Sequence, residues 1–206
     1  VMDMSYMFYK CNSLTSLELS NFNTQKVQDM KFMFFSCISL SSLSITNFDT
    51  SEVLDMYSMF RNLAKINTLD LSKMKTEKCT DMGYMFSDCK NLTTIEINRN
   101  NFITKNVEDM EYMFNNCYEL TSIDVSNFDT HKVKDMSFMF YQCRELIELQ
   151  LNTFNTENVE YMTSMFAYCR QLSYLDLSKF NTKNVLKMTS MFQQCDTIEE
   201  IKMNKS

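Results

Sequence analysis

The sequence predicts an α/β repeat protein: a solenoid of about eight turns, each contributing one short strand and one short helix. Three observations predict this fold class. A Met-Phe pair recurs eight times, apolar residues keep the same phase around each pair, and no linker interrupts the array. Such a fixed period is typical of a solenoid in which each turn buries its apolar face against the next. The pairs are 26 residues apart in every step except one of 28, and begin at Met7, Met33, Met59, Met85, Met113, Met139, Met165 and Met191.

The unbroken array predicts a single domain over residues 1–206. Residues 1–4 (VMDM) match residues 27–30 (VQDM) in the middle of a unit, so we expect a fragment of a longer chain. The formal charge of −6 and the pI near 4.9 argue against nucleic acid as a partner, because a phosphate backbone needs clustered Lys and Arg. No apolar run approaches the roughly 20 residues that span a bilayer, so we expect no direct membrane insertion by this segment.

The strand comes first in each unit. Leu17 and Leu19 alternate with polar residues, the pattern of a strand with one buried face. Phe22 follows on the same inward side. A threonine then recurs in every full turn, where its hydroxyl can satisfy backbone groups at a bend. These residues are Thr24, Thr50, Thr76, Thr104, Thr130, Thr156 and Thr182.

A short helix is predicted next. The apolar residues follow one another at offsets of three, three, one and three, which indicates a helical stripe; they are Val27, Met30, Met33, Phe34 and Cys37. An aspartate precedes the stripe, where its carboxylate would accept backbone N–H groups as an N-cap rather than bind a metal. The aspartates are Asp29, Asp55, Asp81, Asp109 and Asp135.

The cysteines form a core column in this interpretation. Leu63 occupies the cysteine position in the third turn, and leucine can replace a small buried hydrophobe but not a metal ligand or a disulfide partner. We therefore predict buried free thiols and no metal or other cofactor. The column comprises Cys11, Cys37, Cys89, Cys117, Cys143, Cys169 and Cys195, and Cys79 replaces a valine elsewhere in the unit.

Residues 98–101 replace the usual two residues between strand and bend. We expect this insertion to bulge outward and to leave the register of the following residues intact.

The unit from Leu14 to Ser39 reads Leu-x-x-Leu-x-Leu-Ser-x-Phe-x-Thr-x-x-Val-x-Asp-Met-x-x-Met-Phe-x-x-Cys-x-x. It resembles the 26-residue bacterial surface protein repeat of the BspA-like leucine-rich repeat family over essentially the whole chain. The resemblance implies a leucine-rich-repeat solenoid with a parallel concave β-sheet and short convex helices. It also implies a cell-surface or extracellular location, anchored by parts outside this fragment. Because Phe22 and its equivalents replace the usual asparagine, no asparagine ladder is expected at that corner.

The outward side chains of the sheet are the candidate partner-binding site. They vary between turns: in one column small hydroxyls give way to longer side chains toward the C-terminal half, and acidic residues line much of the adjacent column. Like charges on adjacent strands are costly unless a cation relieves them, which favours a basic protein partner. Tyr174 is the candidate anchor. The alternative is a solvated sheet whose charges only maintain solubility. The candidate residues are Glu18, Asp70, Glu96, Asp124, Glu148, Tyr174 and Asp176.

A second candidate surface is the column of aromatic residues on the helical side, which we expect to complete the core instead of binding a partner. Its members are Tyr6, Phe32, Tyr84, Tyr112 and Phe138.

No catalytic constellation is visible in the sequence. The single histidine, His131, belongs to no Ser-His-acid set, and no glycine-rich phosphate loop occurs, so the chain is predicted not to be an enzyme. Two functions remain open. The first is adhesion or recognition at a cell surface, through the concave face, of a host receptor, the matrix or a neighbouring cell. The second is a structural solenoid that stacks with its own copies. Asn91 and Asn204 begin the two Asn-x-Ser/Thr sequons.

Overall fold

The computed structural model describes residues 1–203, so the predicted sequon at Asn204 lies outside the described part of the chain. Four strands are defined: β1 Thr68–Leu71, β2 Thr94–Ile97, β3 Tyr174–Leu177 and β4 Glu200–Met203. β1 pairs with β2 and β3 pairs with β4, both in parallel. In β1 to β3, inward aliphatic residues, all buried except the half-buried Ile97, alternate with outward residues, because successive side chains of a strand point to opposite faces.

A second parallel ladder joins the turns on the other side of the solenoid. We call it the turn ladder; its bridges link Asp3, Asp29, Asp55, Asp81, Asp109, Asp135, Tyr161 and Lys187 in succession. Backbone hydrogen bonds extend it in every turn. The N–H of Phe32 donates to the carbonyl of Tyr57 at 2.9 Å, and the N–H of Phe34 donates to that of Met59 at 3.0 Å. Each turn is thus held to the next through the turn ladder, and the β1–β2 and β3–β4 pairs add a second backbone connection at two of these junctions.

The prediction of short convex helices is wrong, because residues 1–203 contain no helix. The segment after Asp29 is a series of tight turns, in which the N–H of Met33 bonds to the carbonyl of Met30 and that of Cys37 to Phe34. Phe32 and Ser36 have φ angles of 55° and 57°, in the left-handed region that interrupts an α-helix. Each of these bonds joins residues three positions apart, as between Met30 and Met33, so the apolar spacing imitates that of a helix.

Burial of that segment was nevertheless predicted correctly. Val27, Met30, Met33, Phe34 and Cys37 are all fully buried, as are most of their equivalents. The phenylalanine rings of successive turns stack on one another, with ring centroids 5.4 Å apart between Phe86 and Phe114. The core is therefore continuous along the solenoid, as the in-phase apolar columns predicted.

The aspartates of the turn ladder cap no helix, which corrects the N-cap prediction. Each instead closes a turn by accepting the N–H of the residue two positions later. Asp55 Oδ1 lies 2.9 Å from the nitrogen of Tyr57, and Asp109 Oδ1 lies 2.7 Å from that of Glu111. The carboxylates therefore accept backbone N–H groups as predicted, but in tight turns and not at the start of helices.

Six of the seven threonines satisfy backbone groups as predicted, and they do so across turns, whereas Thr182 is exposed. Thr50 Oγ1 donates to the carbonyl of Lys75 and accepts the N–H of the same residue, both at 2.8 Å. Thr104 and Thr130 bond in the same way to the following turn. A bound ligand is not needed to explain this column.

The cysteines are buried, apart from the half-buried Cys11. The buried thiols of the core column donate to phenylalanine carbonyls; Cys117 Sγ lies 3.2 Å from the oxygen of Phe86. Cys79 instead donates to the carbonyl of Asp81 at 3.2 Å. Burial raises the pKa of the Cys89 thiol to about 12, because the thiolate would lose its hydration. The core-column interpretation of the cysteines is confirmed by this burial.

The insertion bulges as predicted. Asn98, Arg99 and Asn100 are exposed, while Phe102 and Thr104 return to buried positions. Separate asparagines bond to the preceding turn at this corner, but the same position carries Lys73, Thr153 and Lys179 in other turns, so they form no continuous ladder. Asn47 donates its side-chain amide to the carbonyl of Leu19 at 3.0 Å, and Asn101 donates to that of Ser72 at 2.8 Å. These asparagines directly precede the phenylalanine position.

Candidate functional site

The outward side chains of the strand segments form one surface, which we call the strand face. Six of the seven predicted site residues are exposed on it, and Asp176 is half-buried. Four lie on defined strands. Glu18, Asp124 and Glu148 lie in the equivalent segments of other turns, where buried and exposed residues also alternate.

The register brings only some of these residues together. Asp70 on β1 is the direct partner of Glu96 on β2. Tyr174 on β3 pairs with Glu200 on β4, and Asp176 pairs with Lys202. Glu18 is separated from Asp70 by a turn that carries Ser44 at the same position. The predicted site is therefore a row along the solenoid and not a single cluster.

Two of the predicted carboxylates already have cations from this chain. Asp176 Oδ2 lies 2.8 Å from Lys202 Nζ, and Asp124 Oδ2 lies 2.7 Å from the Arg99 guanidinium. The hydrogen bond from Lys202 holds the pKa of Asp176 well below its usual range. Sequence reasoning missed both ion pairs. Lys202 lies in the same outward column as Asp176, one turn later, whereas Arg99 reaches Asp124 only through the bulge of the insertion.

Several of these carboxylates also close their own turns. The N–H of Ser72 donates to Asp70 at 2.9 Å, and the N–H of Ser20 donates to Glu18 at 2.9 Å. Hydrogen bonds from these serines lower the pKa of both carboxyl groups. An acidic residue two positions before a serine was the sequence signal for this role.

A shallow depression of about 550 Å³ lies on the C-terminal half of the strand face. Ile147 and Tyr174 line it, together with Glu148, Gln150 and Asp176. Ile147 is 58% exposed and Tyr174 is 45% exposed. Ile147 was not predicted as a site residue, although it is an isoleucine in a column that is otherwise polar. The predicted anchor residue thus has an apolar neighbour.

The aromatic column on the opposite side is not part of the core, which corrects that expectation. Tyr6 is 48% exposed, and Phe32, Tyr84, Tyr112 and Phe138 are half-buried. The rings stack on each other instead: the centroids of Tyr84 and Tyr112 are 4.5 Å apart, as are those of Tyr112 and Phe138. We call this stack the aromatic row.

Tyr57 fills the gap where the aromatic row would be interrupted by Ser58. Its ring centroid lies 5.3 Å from that of Phe32 and 5.4 Å from that of Tyr84. Gly83, the single glycine of the chain, lies beneath this ring. A Cβ there would be 3.1 Å from Tyr57 Cδ2, so the absence of a side chain at Gly83 leaves room for the Tyr57 ring.

Half-buried carboxylates lie beside the aromatic row, on the turn ladder. Desolvation raises the pKa of Asp81 to about 6 and that of Glu111 to about 7, and neighbouring carboxylates add to both shifts. No group of three or more side chains suited to hold a metal ion occurs among the described residues. Within residues 1–203 there is also no helix long and apolar enough to cross a bilayer.

The two parallel ladders and the continuous core define the chain as a repeat solenoid. It belongs to the family described as "Mycoplasma protein of unknown function, DUF285", whose model matches residues 2–122 and 117–205. The match covers nearly the whole array, and the resemblance to BspA-like leucine-rich repeat proteins is confirmed. No curated protein sequence matches the chain.

Two solved structures are similar to this chain. A leucine-rich repeat protein from Bacteroides ovatus ATCC 8483 is 15% identical, with a TM-score of 0.48 over 99% of this chain and 59% of its own. A leucine-rich cell surface protein from Faecalibacterium prausnitzii A2-165 is 16% identical, with a TM-score of 0.42 over 98% of this chain and 76% of its own. The present chain therefore spans about three fifths of the length of the first protein.

Proposed function

We propose that this chain is a non-enzymatic recognition module at a cell surface, and that it binds a protein partner through its strand face. The observation that carries the proposal is the pairing of Asp70 with Glu96 in direct register on neighbouring strands. Like charges placed opposite each other destabilise a sheet. A surface that keeps such a pair exposed is suited to a partner that supplies the missing positive charge.

The remaining strand-face carboxylates support the same proposal. Glu18, Glu148 and Glu200 are exposed, and within residues 1–203 no Lys, Arg or His nitrogen lies within 4.0 Å of their oxygens or of those of Asp70 and Glu96. Complementary charge raises the rate of association and selects the partner more than it raises affinity. We therefore expect binding that is fast and sensitive to salt.

The strand backbone makes this surface suitable for recognition. Its inward residues are held in the core, so outward side chains can differ between turns without a change of fold. Asp70, Glu96 and Tyr174 are presented from such segments. A partner would meet a surface that loses little conformational freedom on binding.

The test is capture of proteins from host-cell surface and matrix extracts on the immobilised chain. The binding variant is Asp70→Asn, Glu96→Gln and Glu148→Gln. The matched control is Glu119→Gln, Glu157→Gln and Glu160→Gln, which removes the same amount of charge from carboxylates off the strand face. All three proteins are first checked for equal thermal stability.

A partner that is identified by mass spectrometry, held by the wild type and the control, and lost by the binding variant supports the proposal. Equal capture by all three proteins contradicts binding through the strand face. If sedimentation instead shows self-association and no partner is captured, the structural solenoid replaces the recognition module.

A further inference from the structure

Ile147 and Tyr174 are the two large apolar side chains that are strongly exposed together on the strand face, as far as the chain is described. They line the same depression of about 550 Å³. Burying apolar surface is the main favourable term in most protein associations. Two such side chains in one concavity are the features expected at the centre of an interface.

The fold does not require apolar residues at these two positions. Thr121 and Ser173 occupy the position of Ile147 in the preceding and following turns. Ser122 occupies the position of Tyr174 two turns earlier, and buried residues alternate with outward ones there as well. The apolar pair is therefore a local property of the surface, and not a consequence of core packing.

Negative charge surrounds the apolar pair. Glu148 and Glu200 occupy the position of Tyr174 in the turns on either side of it, and both are exposed. Neither forms an ion pair with any described residue, whereas Asp176 is neutralised by Lys202 at 2.8 Å. The apolar centre is thus flanked by two carboxylates that are free to bind a cation.

The structure points to a specific partner chemistry, and this inference rests on the proposed function of the strand face. We infer that the depression binds a basic segment of a partner protein, in which Arg or Lys stands next to an apolar side chain. Ile147 and Tyr174 contact the apolar side chain and the aliphatic stem of the basic residue. Glu148 and Glu200 accept hydrogen bonds from the cationic group, and the Tyr174 ring offers a face to a guanidinium.

The probes are three synthetic peptides of equal length: alternating Arg and Leu, alternating Arg and Ser, and alternating Glu and Leu. Their affinities are measured by calorimetry for the wild type and for an Ile147→Thr, Tyr174→Ser variant, which carries residues that other turns use at these positions. The matched control is Ile38→Thr, Leu54→Thr, which removes two apolar side chains that are exposed elsewhere.

We expect the Arg-Leu peptide to bind the wild type and the control about tenfold more tightly than the other peptides. A tenfold difference in affinity corresponds to about 1.4 kcal/mol. The Ile147→Thr, Tyr174→Ser variant should lose this preference. A Glu148→Gln, Glu200→Gln variant should bind the Arg-Leu and Arg-Ser peptides more weakly and with less dependence on salt.

An Asp70→Asn, Glu96→Gln variant separates this inference from the proposed function. Weaker binding by that variant, together with unchanged binding by Ile147→Thr, Tyr174→Ser, would retain strand-face recognition and overturn the depression as its centre. Affinities that none of the variants changes, or no measurable binding of any peptide, would overturn both.

Discussion

The strand face and the turn ladder use the same carboxylate contact with opposite results. Asp70 on the strand face accepts the N–H of Ser72 at 2.9 Å, and Asp81 on the turn ladder accepts the N–H of Gly83 at 2.9 Å. Yet the pKa of Asp70 is lowered, whereas that of Asp81 is raised to about 6. Hydrogen bonds dominate at Asp70, and burial beside Asp55 and Asp109 dominates at Asp81.

This difference separates two roles within one repeat. The turn ladder lies against the continuous core, so we expect changes there to cost the most stability, even though its carboxylates lose hydration. The strand face keeps its carboxylates hydrated and ionised, so they are available to a partner. Four predictions test this separation, from the largest expected effect to the smallest.

The largest effect is expected for Phe114→Ala beneath the turn ladder. The Phe114 ring is fully buried and stacks on Phe86 and Phe140, each at 5.4 Å. Removing it should lower the free energy of unfolding by about 3–5 kcal/mol. Urea denaturation followed by circular dichroism measures this loss. Tyr174→Ala on the strand face is the control, and a comparable loss there would break the proposed separation of roles.

The second effect concerns the contact of Gly83 with Tyr57. Gly83→Ala should destabilise the chain by about 1–3 kcal/mol, because the new methyl group meets a ring that is packed between its neighbours. In a Tyr57→Ser background the same change should be neutral or stabilising by up to about 1 kcal/mol, since alanine restricts the unfolded chain. A double-mutant cycle of thermal unfolding measures the coupling. Additive effects of the two substitutions would show that the Tyr57 ring is not the reason why position 83 requires glycine.

The third effect is the dependence of stability on pH. The folded-state pKa values of Asp81 and Glu111, about 6 and about 7, exceed the ordinary values of 3.8 and 4.5. Ionisation therefore opposes folding: the penalty is absent below about pH 4, grows up to about pH 7, and then stays constant. After allowance for solvent screening, we expect the chain to gain on the order of 1 kcal/mol between pH 7.5 and pH 5.

An Asp81→Asn, Glu111→Gln variant should lose most of this gain, as measured by melting temperature across the range. The matched control is Asp70→Asn, Glu96→Gln on the strand face, which should retain it. A wild type that is no more stable at pH 5 than at pH 7.5 would contradict the raised pKa values.

The smallest effect is expected for Arg99→Gln. The ion pair of Arg99 with Asp124 is exposed to solvent, and exposed pairs contribute about 0–1 kcal/mol. The free energy of unfolding should therefore change little, while binding of a basic peptide to the strand face should strengthen because Asp124 is released. Peptide calorimetry alongside chemical denaturation tests both parts. Weaker peptide binding would show that Arg99 itself contacts the partner.

Much of the core was predictable from the sequence, because in an in-register array each residue packs against its own equivalents in the next turn. An apolar residue that keeps its phase, such as Met30 or Phe34, therefore has to be buried. The substitution of Leu63 for cysteine indicated the same for the thiols. The alternation around Leu17 and Leu19 likewise identified which side chains face outward.

The error over the helices has a physical cause. A series of tight turns, each closed by a hydrogen bond between residues three positions apart, places apolar side chains at nearly the same spacing as one face of a helix. The two differ in where the backbone N–H groups donate. In this chain the N–H of Phe32 bonds to Tyr57 of the next turn, a partner that no local pattern reveals. The positive φ angle of Phe32 is tolerated because these bonds between turns hold it in place.

The sequence by itself determined the repeat, the buried columns and the set of side chains on the strand face, since periodicity alone specifies which residues are equivalent. Only the tertiary structure decided which charges are neutralised and which apolar groups stay exposed. Lys202 reaches Asp176, the bulged Arg99 reaches Asp124, and Ile147 joins Tyr174 in one depression. These outcomes depend on distances between turns, because a carboxylate or an isoleucine acquires its role from what the neighbouring turn places beside it.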